Sequence, residues 1–219
     1  MATPGARMTP SALARLIEDS PGITLDAGQC LFSQGDACRA LHVLVSGRVR
    51  CYQARDDGRE QVVSTFEAPG EVFCLMAAFG AGRYVFSAQA LTATELHTVD
   101  VATITRLATQ STALGVALLV AATRQAAGLV ELVEDLALRR VPERIARLLR
   151  ERALRDGRRW GPGAELERRR FREDEVATRV GTVRVHVSRT LRQFADGGAV
   201  ELTRDVIRIP DLRALERLA

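Results

Sequence analysis

The side chains best spaced to do chemistry lie in residues 173–192. Arg184, Val185, His186, Ser188, Arg189 and Arg192 fall on the outer side of a helical pattern running from 183 to 194. Arginine carries a planar fork of donors that fits the O6 and N7 acceptors of guanine, and it also neutralises phosphate. Thr182 and Ser188 add hydroxyls suited to phosphate or base-edge contacts. Such a set reads a polyanion; it does not make or break bonds.

The surrounding residues supply the scaffold. Glu173–Val180 forms a first helical pattern, with Val176 and Val180 four apart and Ala177 between them. With Glu173 as position one, alanine falls at five, Gly181 at nine and Val187 at fifteen, the spacing of a helix-turn-helix. Alanine lets the two helices close, and glycine admits a left-handed turn. Beyond Gly197 and Gly198, residues 200–202 and 206–209 read as two strands about Thr203, Arg204 and Asp205. This predicts a wing with Arg204 and Arg208 available for DNA backbone contacts. The plain alternative is a helical hairpin with a structural role only.

Charge favours the DNA reading. The 219 residues carry a net charge of +4, and all 31 cations are arginine. Residues 1–137 hold 10 arginines and 14 acids, whereas 138–219 hold 21 and 13. A mildly acidic front and a basic rear predict two modules, the rear one touching a polyanion. With no lysine there is no Walker A loop, pyridoxal Schiff base or Ser-Lys hydrolase. Three separated histidines (His42, His97, His186) face no evident nucleophile, so no catalytic residue is assigned and no enzyme is expected. Cys30, Cys38, Cys51 and Cys74 contain no C-x-x-C, so no metal site is signalled; they read as reduced, packed thiols. Residues 1–7 lack a signal-peptide core, and no unbroken apolar run reaches about 18 residues. A cytoplasmic protein with no membrane partner is expected.

The front half has turn glycines at Gly28, Gly35, Gly47, Gly58 and Gly70, with β-rich runs such as 41–45 and 61–66 between them. That rhythm predicts a small antiparallel barrel or jelly roll. From 101 to 140 the period becomes helical. Leu114, Leu118, Ala121, Gln125, Gly128, Leu132 and Asp135 follow steps of 4, 3, 4, 3, 4 and 3, a stripe that fits either a buried core helix or half of a dimerisation coiled coil. Position between two modules favours dimerisation, with Gln125 fixing register. A further helix starts near Pro142, buries Ile145, Leu148, Leu149 and Ala153, and ends at Gly157; 158–170 reads as a loop or hairpin.

The layout as a whole resembles the catabolite activator protein/FNR superfamily of bacterial transcription regulators. The matching pieces are Gly35-Asp36, residues 41–49, Pro69-Gly70-Glu71-Val72, residues 142–146 and residues 183–189. The resemblance implies an α+β chain: a cyclic-nucleotide-binding-like β-roll sensor at 1–108, a long dimerisation helix at 109–138 and a winged helix-turn-helix at 139–219. It implies a homodimer on near-palindromic double-stranded DNA, with RNA polymerase as a further partner if the protein activates. The rival expectation is a ligand- or haem-binding sensor whose DNA domain has degenerated. The family's recognition helix usually reads Arg-Glu-x-x-Ser/Gly-Arg, and here Val185 replaces the acid. A carboxylate there accepts from cytosine; valine meets only a thymine methyl. Arg172 stands where the family often has a capping threonine.

Candidate effector residues are Gly70, Glu71, Arg83, Tyr84 and Gln125. Cyclic-nucleotide members hold ribose and phosphate with Gly-Glu and a downstream Arg-Ser/Thr, but alignment on residues 87–91 places Tyr84, not Arg83, at the phosphate position. The iron–sulfur branch needs N-terminal cysteines, and none precedes Cys30. Cys74 resembles a haem ligand of the carbon-monoxide sensor branch, with Met76 in place of the expected histidine. Cyclic AMP, haem, another small molecule, a redox-active thiol and no effector at all stay open.

Overall fold

A computed structural model describes residues 10–18 and 20–219. Residues 1–7, on which the signal-peptide expectation rests, lie outside the described residues. The chain divides into two compact units, one ending at Val130 and the other running from Glu131 to Ala219.

The first unit begins with helix α1 (Pro10–Ile17) and then forms eight strands, β1 (Gly22–Leu25), β2 (Cys30–Phe32), β3 (Ala40–Ser46), β4 (Val49–Ala54), β5 (Glu60–Phe66), β6 (Val72–Phe73), β7 (Ser87–Ala90) and β8 (Thr94–Asp100). They make two four-stranded antiparallel sheets, ordered β1-β8-β3-β6 and β2-β7-β4-β5. Leu44, Phe73 and Leu96 from the first sheet meet Phe32, Cys51 and Phe66 from the second in a common core. Strand β3 alternates: Leu44 faces that core, while Leu41 and Val43 pack with the helices α2 (Val101–Gln110) and α3 (Thr112–Leu138). A strand buried on both faces explains the apolar run at 41–45.

Helix α3 corrects the dimer seam. Leu114, Leu118 and Ala121 are almost fully buried in the unit's own core, with Leu41, Val72 and Ile104. Gln125 donates to the backbone oxygen of Val72 at 2.6 Å, which ties the helix to β6 instead of to a second helix. Asp135, also on the predicted seam, accepts from Arg147 at 2.9 Å. A stripe at this spacing cannot reveal whether its partner is a sheet or another helix. The exposed side carries a second repeat, Val116, Leu119, Thr123, Ala126, Val130, Val133 and Ala137, again in steps of three and four. With both faces apolar, α3 is long and apolar enough by length and composition to cross a membrane. Thr123, Arg124 and Gln125 interrupt its apolar residues, so the sequence holds no unbroken run there.

In the second unit α4 (Val141–Asp156) begins with Pro142 in its first turn, and Glu143 accepts from the Arg140 backbone N–H at 2.9 Å. It buries Ile145, Leu148, Leu149 and Ala153, as the sequence predicts. The hairpin β9 (Arg158–Trp160) and β10 (Gly163–Glu167) joins β11 (Glu201–Leu202) and β12 (Val206–Ile209) in one antiparallel sheet, ordered β11-β12-β10-β9. The predicted two-stranded wing is thus the edge of a four-stranded sheet. Between these strands lie α5 (Glu173–Val180) and α6 (Arg184–Asp196), and α7 (Leu212–Glu216) closes the unit. Ala177, Val187, Leu191 and Phe194 join Ile145, Leu149, Leu166 and Ile209 in its core.

Candidate nucleic-acid interface

The α5–α6 pair is fixed from three directions. Gly181 adopts φ 69°, a left-handed conformation that reverses the chain between the helices. Ala177 and Val180 are buried, so α5 closes against α6 with little side-chain bulk. From α4, Arg144 donates to the Val180 carbonyl at 2.6 Å, covering a carbonyl that the helix end leaves open. Arg179 reaches Glu151 of α4 at 3.4 Å. No side chain caps α5 at Arg172, as the sequence suggested, but Glu173, Asp174 and Glu175 in its first turn oppose the positive end of the helix dipole.

Helix α6 then divides cleanly. Val187, Thr190, Leu191 and Phe194 face inward, while Arg184, Val185, His186, Arg189 and Arg192 are exposed. Val185 is 64% exposed, so packing inside the unit does not account for an apolar side chain there. Among the described residues, Arg189 and Arg192 have no hydrogen-bond or ion-pair partner. His186 Nδ1 shares a hydrogen bond with Thr182 Oγ1 at 3.1 Å, bracing the turn against the first turn of α6.

Ser188 is differently placed from its five neighbours. Its hydroxyl donates to Glu173 Oε2 at 2.7 Å and is half-buried. The same carboxylate lies 3.7 Å from Arg184 Nε, and its other oxygen accepts from Arg168 at 3.2 Å. Sequence reasoning counted Glu173 only as the first residue of the motif and missed its hub position. The signal was present: a run of three acids, Glu173, Asp174 and Glu175, opens α5 beside the predicted basic face. Arg204 at the wing tip is exposed and unpartnered among the described residues. Arg208 is not available in the same way, because it pairs with Glu165 at 2.8 Å and Glu201 at 3.1 Å and lies over the Trp160 ring.

The effector candidates do not converge. Glu71 is buried, and its Oε2 accepts from the backbone N–H of Glu67 at 2.7 Å and of Ala68 at 3.0 Å, with Gly70 in the left-handed region at φ 83°. Its carboxylate thus closes a turn. The Tyr84 ring stacks on Phe32 with centroids 3.6 Å apart, and its hydroxyl donates to the Ala40 carbonyl at 3.1 Å. Arg83 is exposed and donates to the Gly35 carbonyl at 2.9 Å. Gln125 is committed to Val72. Cys74 is buried, and burial pushes its thiol well above the usual cysteine range; Met76 is 39% exposed. The two proposed haem ligands therefore occupy different environments, one in the core and one in solvent. Among these candidates Arg83 alone is a cation suited to a phosphate, and the separate settings of Cys74 and Met76 do not fit an iron held between them.

Comparison with known proteins agrees with the two units. Residues 23–111 match the cyclic nucleotide-binding domain family, and residues 143–218 match the Crp-like helix-turn-helix domain family. The cyclic AMP receptor protein of Thermus thermophilus is 31% identical over 197 residues, covering 88% of this chain and 85% of that protein. The CRP-like cAMP-activated global transcriptional regulator of Mycobacterium tuberculosis is 27% identical over 210 residues, covering 96% and 93%. Among solved structures, the c-di-GMP responsive global regulator CLP of Xanthomonas campestris superposes with a TM-score of 0.80 at 21% identity, covering 92% of this chain and 99% of that one. Fold, motif spacing and whole-chain similarity coincide, and the chain belongs to the CRP/FNR family of transcription regulators with a helix-turn-helix DNA-binding domain.

Proposed function

We propose that this regulator binds a near-palindromic promoter site as a homodimer, with one α6 in the major groove of each half-site. The observation that carries the reading is the row of exposed arginines, Arg184, Arg189 and Arg192, on a helix whose opposite face is locked into the core. Arg184 and Arg189 read guanine edges, Val185 packs on a thymine methyl, and Thr182, His186, Arg192 and Arg204 approach the backbone. Ser188 acts through Glu173 and not on a base. The exposed repeat of α3, centred on Leu119, Val130 and Val133, supplies the dimer contact and buries apolar surface that a monomer leaves in water. That pairing also accounts for a helix apolar on both sides without a membrane.

In this reading residues 1–108 form the sensor, 109–138 the dimerisation helix and 139–219 the DNA-binding domain. The protein is cytoplasmic, is not an enzyme, and meets RNA polymerase where it activates. The alternative of a sensor with a degenerate DNA domain is disfavoured by the intact α6 face. A promoter fragment titrated by fluorescence anisotropy tests the proposal. The Arg184→Ala/Arg189→Ala double variant should lose specific binding, and unchanged affinity would overturn it.

A further inference from the structure

The Gly70–Glu71 turn is self-satisfied, but the same unit contains a cavity of about 640 Å3 elsewhere. It lies among α1, the ends of β3 and β8, α2 and the start of α3, and shares no lining residue with Gly70, Glu71 or Tyr84. Leu16, Val99 and Leu114, all buried, and half-buried Leu107 give it an apolar floor. Exposed Arg15, Arg39 and Arg106 stand around its mouth.

The charges at this mouth are unevenly used. Arg15 donates to Ser111 Oγ at 3.0 Å, and Arg106 lies 3.4 Å from Gln110 Oε1; both partners are neutral. Among the described residues, none of the three arginines has a carboxylate within ion-pairing distance. Among the described lining residues the acids are Glu18 and Asp100; Asp100 caps α2, accepting from the Thr103 N–H at 2.9 Å, and feels the charge of Arg106. An apolar floor beneath a cationic rim suits a ligand with an apolar body and an acidic head, and the volume is that of a small-molecule site.

We propose that this cavity binds a small organic anion, its acidic head held by Arg39 and Arg106 and its apolar body lying on Leu107 and Leu114. Titrating the full-length protein with anilinonaphthalene sulfonate tests this directly. One saturable site per chain is expected, displaced by octanoate but not by octanol or inorganic phosphate at the same concentration. Arg39→Gln/Arg106→Gln should weaken the dye and octanoate by roughly tenfold without changing the thermal unfolding midpoint. Arg55→Gln, an exposed arginine outside the cavity, should have no effect. Leu119→Glu should also leave the site intact, which separates it from dye bound to the exposed face of α3. The proposal fails if octanol competes as well as octanoate, if phosphate alone displaces the dye, or if the double variant binds both as the parent does.

Discussion

At the scale of single residues, identity and environment make separable demands. Val185 replaces the acid common at its position, and its 64% exposure leaves it free to meet a base. Val185→Glu should move the preferred base pair at that position from thymine-containing to cytosine-containing, worth about 1–3 kcal/mol in discrimination; a selection from randomised half-sites reads this out. Glu173 holds Arg184 and Ser188 together. Glu173→Gln should raise affinity for non-specific DNA, because a negative charge is lost, while reducing discrimination at the Arg184 base pair by roughly tenfold. Competition between cognate and scrambled duplexes separates the two effects. His42 makes a different prediction. Burial between Phe32 and Phe73 lowers its pKa from 6.5 to about 4. The unfolded chain takes up the proton first as pH falls, so this contribution is complete above pH 6.5 and is lost on acidification toward about 4. The difference is on the order of 3 kcal/mol. His42→Phe should flatten the pH dependence of unfolding free energy in that window, measured by urea denaturation.

At the scale of elements, the two faces of α3 have different jobs. Leu118 and Ala121 belong to the core of the first unit, whereas Leu119 is 65% and Val133 64% exposed. Leu119→Glu/Val133→Glu should weaken self-association by roughly tenfold or more, since carboxylates buried at a helix–helix seam lack partners. Analytical ultracentrifugation detects the shift, and Gln125→Ala, which cuts only the bond to Val72, should leave the association state unchanged. The winged sheet contains a steric constraint of another kind. A Cβ on Gly163 would run into the carbonyl oxygens of Ile209 and Pro210, where β10 and β12 pass close together. Gly163→Ala should cost about 1–3 kcal/mol in stability of the DNA-binding unit, because backbone cannot give way as a side chain can. Thermal unfolding gives the magnitude.

At the scale of the whole molecule, charge distribution matters more than net charge. The +4 total is small, yet the rear 82 residues carry 21 arginines against 13 acids. Many of those arginines are spent internally, as Arg144, Arg147, Arg179 and Arg208 show. Among the exposed ones, Arg184, Arg189, Arg192 and Arg204 lie on α6 and the wing, and the proposed reading brings these four to DNA. DNA affinity should therefore fall steeply with salt, and Arg204→Ala should reduce the slope of log K against log salt by about one per chain while leaving sequence preference intact. Filter binding across a salt series tests both points.

The family, the order of domains and the face of α6 were legible in the sequence, because each rests on local spacing. Ala177, Gly181 and Val187 define the helix-turn-helix through contacts within some fifteen residues, and turn glycines mark the strands. The tertiary structure decided what no spacing encodes, namely which surfaces are already occupied. The stripe at Leu114, Leu118 and Ala121 is as regular as its exposed counterpart at Val116, Leu119 and Val130, and only burial against β3 and β6 tells them apart. Arg204 and Arg208 look alike in the sequence until Glu165 and Glu201 arrive from other strands to claim one of them. Glu71 likewise matches a ligand-binding motif, but the amides of Glu67 and Ala68 already engage one oxygen of its carboxylate. A residue type limits which bonds a side chain can make. Which bonds remain for a partner depends on groups brought close by the fold, and their sequence separation hides them from any local pattern.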